Sequence, residues 1–424
     1  MRHGFWIFLY FVFVPCSFGQ APASPTPPPM QSPPPQMPRI RNFGSSLQRY
    51  EKKRGDKIRG ENNVADDVVR VSTDLVVNDV LVTNQKGSVI LGLQKGDFVA
   101  IEDGVPQTIH MFAPGESATV PRSVVLIIEC GGLQGPYMKT SVEAARILVD
   151  KLAPQDKMAI VTSDSRLRLD FTRDSALIKN TLNSFVTSPG RKEFSLCGDA
   201  LQKTAYNSGE FAALLAVLNE MFDEQNRQRV IIFQGEGVHA MWLKQDKETP
   251  YKVSYSALER SGLDYVKDPF SKFGFREINE AIESSRATIY SVVTGPRFLG
   301  LSKEEQLARA KRSIVELNDL YKWNKQSDMS EIVNYYKNRN AETSTAGQIA
   351  MFKVAELSGG FTSFVEKPED AENVYSDIFT VIKNRYVIGY YPTNRRRDGK
   401  PRQVTIQVRN HPEFTVTGRK AYIL

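Results

Sequence analysis

Arg122-Ser-Val-Val-Leu-Ile-Ile-Glu-Cys-Gly-Gly-Leu133 is the stretch whose reading decides the fold. Val124 to Ile128 is an unbroken apolar run, rich in β-branched residues, and describes a strand buried on both faces. A carboxylate, Glu129, closes that run, and Gly131-Gly132 then turns the chain. In open α/β sheets, ligands bind outside the carboxyl ends of the strands, so Glu129 marks the rim to watch.

Amphipathic and strand-like segments alternate downstream of this stretch as far as Lys383. Val142, Ala145, Leu148, Val149 and Leu152 recur at helical spacing, predicting a helix from Lys139 to Leu152 that Pro154 stops. Strands follow at Met158 to Thr162 and, as an edge, Leu167 to Phe171; Ser175 to Phe185 reads as a helix. A polar loop to Leu196 leads into a helical stretch through Met221. Arg229 to Phe233 and Thr288 to Val293 are further buried strands, the former ending at Gln234-Gly-Glu-Gly237. Ser302-Lys-Glu-Glu305 is a capping box opening another helix. A helix from Ala346 to Leu357, a strand from Phe361 to Phe364 and a helix from Ala371 to Lys383 complete the series. This order predicts a doubly wound, mostly parallel sheet over 118–384.

The flanks read differently. From Val68 to Phe112 apolar and polar residues largely alternate, broken by Asn84-Gln-Lys-Gly87, Lys95-Gly-Asp97 and Glu102-Asp-Gly104. Asp97, Glu102 and Asp103 lack the dense spacing of a calcium loop and read as turn chemistry. The tail turns β again at Tyr386 to Tyr391, Gln403 to Val408 and Phe414 to Ile423, with a basic hairpin loop from Asn394 to Arg402. Each flank, 66–117 and 385–424, is small to stand alone, so the two are expected to pair into one β domain.

The N-terminus has a basic n-region (Arg2, His3), an apolar h-region from Phe5 to Val14 and small residues at Ser17 and Gly19. That is a signal peptide over 1–19, and it predicts an exported protein, periplasmic or extracellular. Residues 20–65 are Pro-rich, then basic, and read as a disordered linker. The chain has 424 residues, 41% hydrophobic and 24% charged, with a formal charge of +7. That is the composition of an ordinary globular protein, and no aromatic-interleaved basic stripe points to nucleic acid. With Cys16 in the signal peptide, the mature chain keeps Cys130 and Cys197 in a compartment that permits disulfides. No Cys or His cluster shows metal-ligand spacing.

Taken together, the Arg122–Leu133 stretch, Lys95-Gly-Asp-Phe98, Glu102-Asp-Gly104, Leu357-Ser-Gly-Gly360 and Arg385-Tyr-Val-Ile-Gly-Tyr-Tyr-Pro392 resemble a von Willebrand factor A-type domain. The likeness is to the bacterial VWFA-related proteins common in Acidobacteria. Such domains often hold Mg²⁺ in a metal-ion-dependent adhesion site, with Asp-x-Ser-x-Ser, a Thr and a later Asp supplying hard oxygens. Carried over, these positions fall on Glu129, Gly131, Leu133, Ser195 and Gln234. Gly131 has no side-chain oxygen, Leu133 is apolar, Glu129 is a methylene too long, and Gln234 carries no charge. The resemblance therefore implies a degenerate site, with no metal or other cofactor expected and Mg²⁺ the cation of the lesser alternative. In such a domain the loops carrying Cys130 and Cys197 converge. A disulfide between them would be worth on the order of 4 kcal/mol in the chain-entropy model; two buried free thiols are the other reading.

The favoured function is a non-catalytic module that binds a protein through the strand-carboxyl rim, independently of metal. The aromatic-rich insertion 238–275, with Trp242, Tyr251 and Tyr255, reads either as a partner-binding loop or as packing. Metal-dependent adhesion, an envelope structural role for the Pro-rich tether and Arg395-Arg-Arg397, and hydrolysis by Ser195, His239 and Asp199 are the competitors. A Gly-x-Ser-x-Gly elbow and a Walker motif are both absent.

Overall fold

A computed structural model of the chain describes residues 43–51, 75–115, 120–130, 134–187, 209–222, 227–252, 273–321 and 329–423. The expected signal peptide, most of the expected linker, Gly131, Leu133, Ser195, Cys197, Asp199 and Tyr255 lie outside them. In chain order the strands are β1 (Val76–Thr83), β2 (Phe98–Glu102), β3 (Val105–Gln107), β4 (Ile109–Ala113), β5 (Arg122–Ile128), β6 (Lys157–Thr162) and β7 (Arg166–Thr172). They continue with β8 (Gln228–Gly235), β9 (Thr288–Thr294), β10 (Thr362–Val365), β11 (Tyr386–Tyr390), β12 (Pro401–Val408), β13 (Thr415–Thr417) and β14 (Ala421–Ile423). The main helices are α1 (Gly135–Asp150), α2 (Ser175–Thr187), α3 (Gly209–Glu220), α4 (Phe275–Ser285), α5 (Lys303–Tyr321), α6 (Met329–Ser358) and α7 (Ala371–Lys383).

The apolar run of β5 is buried along its whole length because it lies in the middle of a six-stranded sheet ordered β10-β9-β8-β5-β6-β7. It pairs in parallel with β6 on one side and β8 on the other, and only the edge strand β7 runs antiparallel. Alternate residues of β5 feed opposite cores. Val125 and Ile127 pack with Phe211 of α3, Ile278 of α4 and Met351 of α6. Val124, Leu126 and Ile128 pack with Val142 of α1, Leu182 of α2 and Ile378 of α7. Burying each such side chain contributes about 1.5–3 kcal/mol, which is why this strand fixes the layering. The chain leaves β5 towards β6 and returns at β8 on its other side, so the topological switch point lies between β5 and β8.

The flanking β segments do pair. β1 joins β11, β13 and β4 in one antiparallel sheet; β12 joins β2, β3 and β14 in another. Val80, Phe98, Tyr386, Tyr390, Ile406 and Tyr422 belong to one core shared by these sheets. Two buried arginines tie the sandwich to the α/β body. Arg385 donates to the carbonyls of Asp79, Gly359 and Thr417 at 2.7, 2.7 and 3.1 Å, and Arg419 to those of Ile282 and Ala287 at 3.0 and 3.1 Å. Burial pushes the Arg419 guanidinium down to about 9. The acidic turn residues serve the turns: Asp97 accepts the Gln94 N–H at 2.6 Å and Asp103 the Gln403 N–H at 2.8 Å, while Glu102 takes the Tyr422 hydroxyl at 2.7 Å.

Two helices begin earlier than periodicity predicts. α1 starts at Gly135, with a proline in its first turn that preorganises the helical backbone. α6 starts at Met329 rather than Ala346. Its early half, Met329 to Thr345, has no clear apolar stripe, and it packs against α5, which local pattern cannot reveal. Among the described residues no helix is long and apolar enough to cross a membrane.

Candidate functional site

The carboxyl ends of β5 and β8 are zipped together where the Glu129 N–H donates to the Gln234 carbonyl at 3.0 Å. The Glu129 side chain bends across this seam, and its Oε2 accepts the Glu236 N–H at 2.7 Å. Glu210 arrives from the first turn of α3, where a carboxylate complements the helix N-terminus. His239 comes from a short 3₁₀ turn, Val238–Trp242, behind β8. That turn sits close to α6 because Gly237, at φ 75°, meets Gly347: a Cβ on Gly237 would lie 2.5 Å from the Gly347 carbonyl oxygen.

A strand end, a helix N-terminus and a 3₁₀ turn thus converge on one point at the switch point. His239 Nδ1 is hydrogen-bonded to Glu210 Oε2 and stands 4.0 Å from Glu129 Oε1. One donor atom from each of Glu129, Glu210 and His239 lies within 4.8 Å of the others. Glu129 and Glu210 are buried and His239 is nearly so. Burial, then the charges of Glu210 and Glu236, hold the Glu129 carboxyl well above the usual range, against the pull of the Glu236 N–H. Burial and Glu210 likewise push the Glu236 carboxyl up to about 7, with His239 opposing. Burial works to lower the His239 imidazolium, but the charge and hydrogen bond of Glu210 outweigh it and the net shift is upward. The cluster is rich in carboxyls and, among the described residues, short of cations.

Of the five positions assigned by the resemblance, Glu129 is at this point and Gln234 is turned away from it. The Gln234 side-chain oxygen accepts the hydroxyl of Tyr375, which belongs to the opposite core. Gly131, Leu133 and Ser195 fall outside the described residues. With one carboxylate in place, a neutral amide already engaged, and Gly and Leu at the Ser positions, the residues do not fit an octahedral magnesium site.

Cys130 donates its N–H to Ser163 Oγ at 3.2 Å and is disulfide-bonded, to a cysteine outside the described residues. The insertion turns inward where it is described. Trp242 and Tyr251 are each 7% exposed, and Tyr251 donates its hydroxyl to the Ala240 carbonyl at 2.6 Å. These two rings pack the loop onto the body, the second of the two readings that the sequence offers; Tyr255 is outside the described residues. His239, a hydrolase base on paper, faces carboxylates, and Ser195 and Asp199 are not described.

Glu210 escaped the sequence reading altogether. Its signal was present: a lone Glu after Gly209, directly ahead of the apolar run Phe211 to Leu218. A charge at the head of so buried a helix needs a partner.

No protein-family model matches the chain. No curated protein matches it either. Solved structures similar to it include conserved hypothetical protein BatB from Bacteroides thetaiotaomicron, at 13% identity, covering 62% of this chain and 99% of that one, with TM-score 0.32. The vWF domain of the type V pili tip protein Mfa5 from Porphyromonas gingivalis is 12% identical over 63% of this chain and 96% of that one, also at 0.32. The pilus adhesin SpaC from Lactobacillus rhamnosus GG, in its open conformation, is 6% identical over 80% and 49% of the two chains, at 0.32. Similarity at this level assigns no activity to the chain.

Proposed function

We propose that the chain is an exported, non-catalytic module that binds a protein partner on the strand-carboxyl rim, without magnesium. The observation carrying this reading is the convergence of Glu129, Glu210 and His239 from three separate chain segments at the switch point. Side chains that lock loops together leave a surface organised before its partner arrives, which lowers the ordering cost of binding. Beyond the 3₁₀ turn, Lys244, Gln245, Lys247 and Glu248 are exposed and offer a polar contact surface.

The test is a photo-crosslinking amino acid at Lys244 or Glu248, compared with one at Lys151 on the opposite pole, in the exporting cell. Adducts confined to the rim positions are expected. Adducts formed equally at Lys151 would remove the rim from the proposal, and labelling of the purified chain by a fluorophosphonate probe would remove its non-catalytic character.

The partner of Cys130 in this reading is Cys197. Intact mass of the exported chain under denaturing, non-reducing conditions should show no alkylatable thiol; two would show that the pair does not form.

A further inference from the structure

We infer that Glu129, Glu210 and His239 form a binding site for a divalent transition-metal ion of the zinc class, with a fourth position open to water or an incoming carboxylate. The inference goes beyond the rim-binding reading and does not depend on it. It also differs from the magnesium pattern of the resemblance, sharing only Glu129: the other two donors come from positions outside that pattern, and one is an imidazole nitrogen. Imidazole with carboxylates suits zinc, whereas magnesium prefers an all-oxygen octahedron.

Four observations carry it. First, the donor atoms already converge within 4.8 Å, with His239 Nδ1 4.0 Å from Glu129 Oε1. Ligands on a tetrahedral ion with bonds of about 2.0–2.1 Å stand about 3.3–3.4 Å apart, so small side-chain rotations close the site. Second, the other oxygen of Glu210, Oε1, is buried and has no hydrogen-bond partner, although the residue is 0% exposed. An ion pair with His239 alone leaves that oxygen and the Glu129 charge uncompensated. A divalent ion between two carboxylates and a neutral imidazole brings the three-ligand set to neutrality.

Third, the supporting shell is in place. The Glu236 N–H holds Glu129 Oε2 and leaves Oε1 facing His239, the arrangement by which outer hydrogen bonds orient a carboxylate ligand. Fourth, Gly209 is the residue that lets the imidazole lie against the start of α3. A Cβ there would stand 2.5 Å from His239 Cγ.

The test uses the tag-free full chain, stripped with chelator and titrated calorimetrically with zinc chloride alone. One zinc per chain is expected, with no saturable heat from magnesium chloride. Glu210→Gln and Glu129→Gln each exchange a charged oxygen donor for a neutral amide, and His239→Gln removes the imidazole, all at nearly constant volume; each should weaken zinc by about 100-fold or more. Absence of zinc binding by the folded wild-type chain would overturn the site, as would affinity unchanged in the three variants. Where a variant fails to fold, the wild type is loaded with Co²⁺ instead. Visible absorption bands of a four-coordinate ion, displaced by zinc, are expected; a spectrum indistinguishable from six-coordinate aqueous Co²⁺ would overturn the site. Both readouts need no partner, so failed rim crosslinking and failed metal binding remain separate results.

Discussion

At the amino end of the central sheet, Arg122 and Asp156 are buried against each other, with the guanidinium 3.2 Å from one carboxylate oxygen and the Arg122 N–H 2.8 Å from the other. Arg122 Nε also donates to Gln228, whose amide in turn donates to Asp79. Arg227 reaches Ser123 Oγ and the carbonyls of Arg122 and Gln155. At the carboxyl end of the same strand, Glu129, Glu210 and Glu236 gather around one histidine. One end is a network in which each charged group has a hydrogen-bond partner; the other crowds carboxyls together beside an unpartnered oxygen. Buried polar networks that are satisfied hold a structure together, whereas a concentration of like charge that folding tolerates marks a place reserved for something else.

The largest effect should therefore fall on the satisfied end. Arg122→Ala leaves Asp156 buried without its cation, and the cost is about 3–5 kcal/mol. Urea denaturation of the full chain measures it; a loss below that of an ordinary surface substitution would show that the amino end is not the structural clamp. The next effect probes the rim without deleting a donor. Gly209→Ala drives a methyl group into the His239 ring at a backbone φ of +38°, costing about 1–3 kcal/mol. The same variant should lose zinc affinity, because the ring must leave Glu210; unaltered zinc binding would place the metal elsewhere.

The difference between the two ends also explains what the sequence could and could not tell. The buried run Val124–Ile128, the alternation that follows it and the capping box at Ser302 are local patterns, and each reappears in the structure. The pairing of the two β flanks was legible because each was too small to stand alone. Of the site, Glu129 was legible because its place at the end of a buried strand follows from the strand itself, His239 was named only as a candidate base, and Glu210 was missed. Glu210 and His239 are brought to it by the crossover from β7 through α3 and by the Gly237–Gly347 contact with α6, neither of which leaves a spacing in the chain. Trp242 and Tyr251 left two readings open for the same reason: aromatic content does not say which way a loop folds.

Glu129→Gln separates repulsion from support at the rim. The amide keeps an oxygen for the Glu236 N–H and gains an N–H₂ that can serve the unpartnered Glu210 Oε1. Because burial and the neighbouring carboxyls disfavour an ionised Glu129 in the folded chain, replacing it should stabilise the metal-free chain by on the order of 1 kcal/mol at neutral pH. A loss of stability in the same urea assay would mean that the Glu129 charge is already compensated and that the two ends of the sheet are alike.

The smallest effect returns to the amino end. Lys179 and Asp150 form an ion pair there as well, yet Asp150 is 62% exposed. Water screens such a pair and the long lysine side chain gives up conformational freedom to make it, so Lys179→Ala should change stability by no more than about 0.5 kcal/mol. Set beside Arg122→Ala, this variant asks whether position at the amino end or burial of the pair gives the clamp its strength. A Lys179→Ala loss comparable to that of Arg122→Ala would assign the strength to position, and the contrast between satisfied and unsatisfied buried charge would no longer account for the two ends.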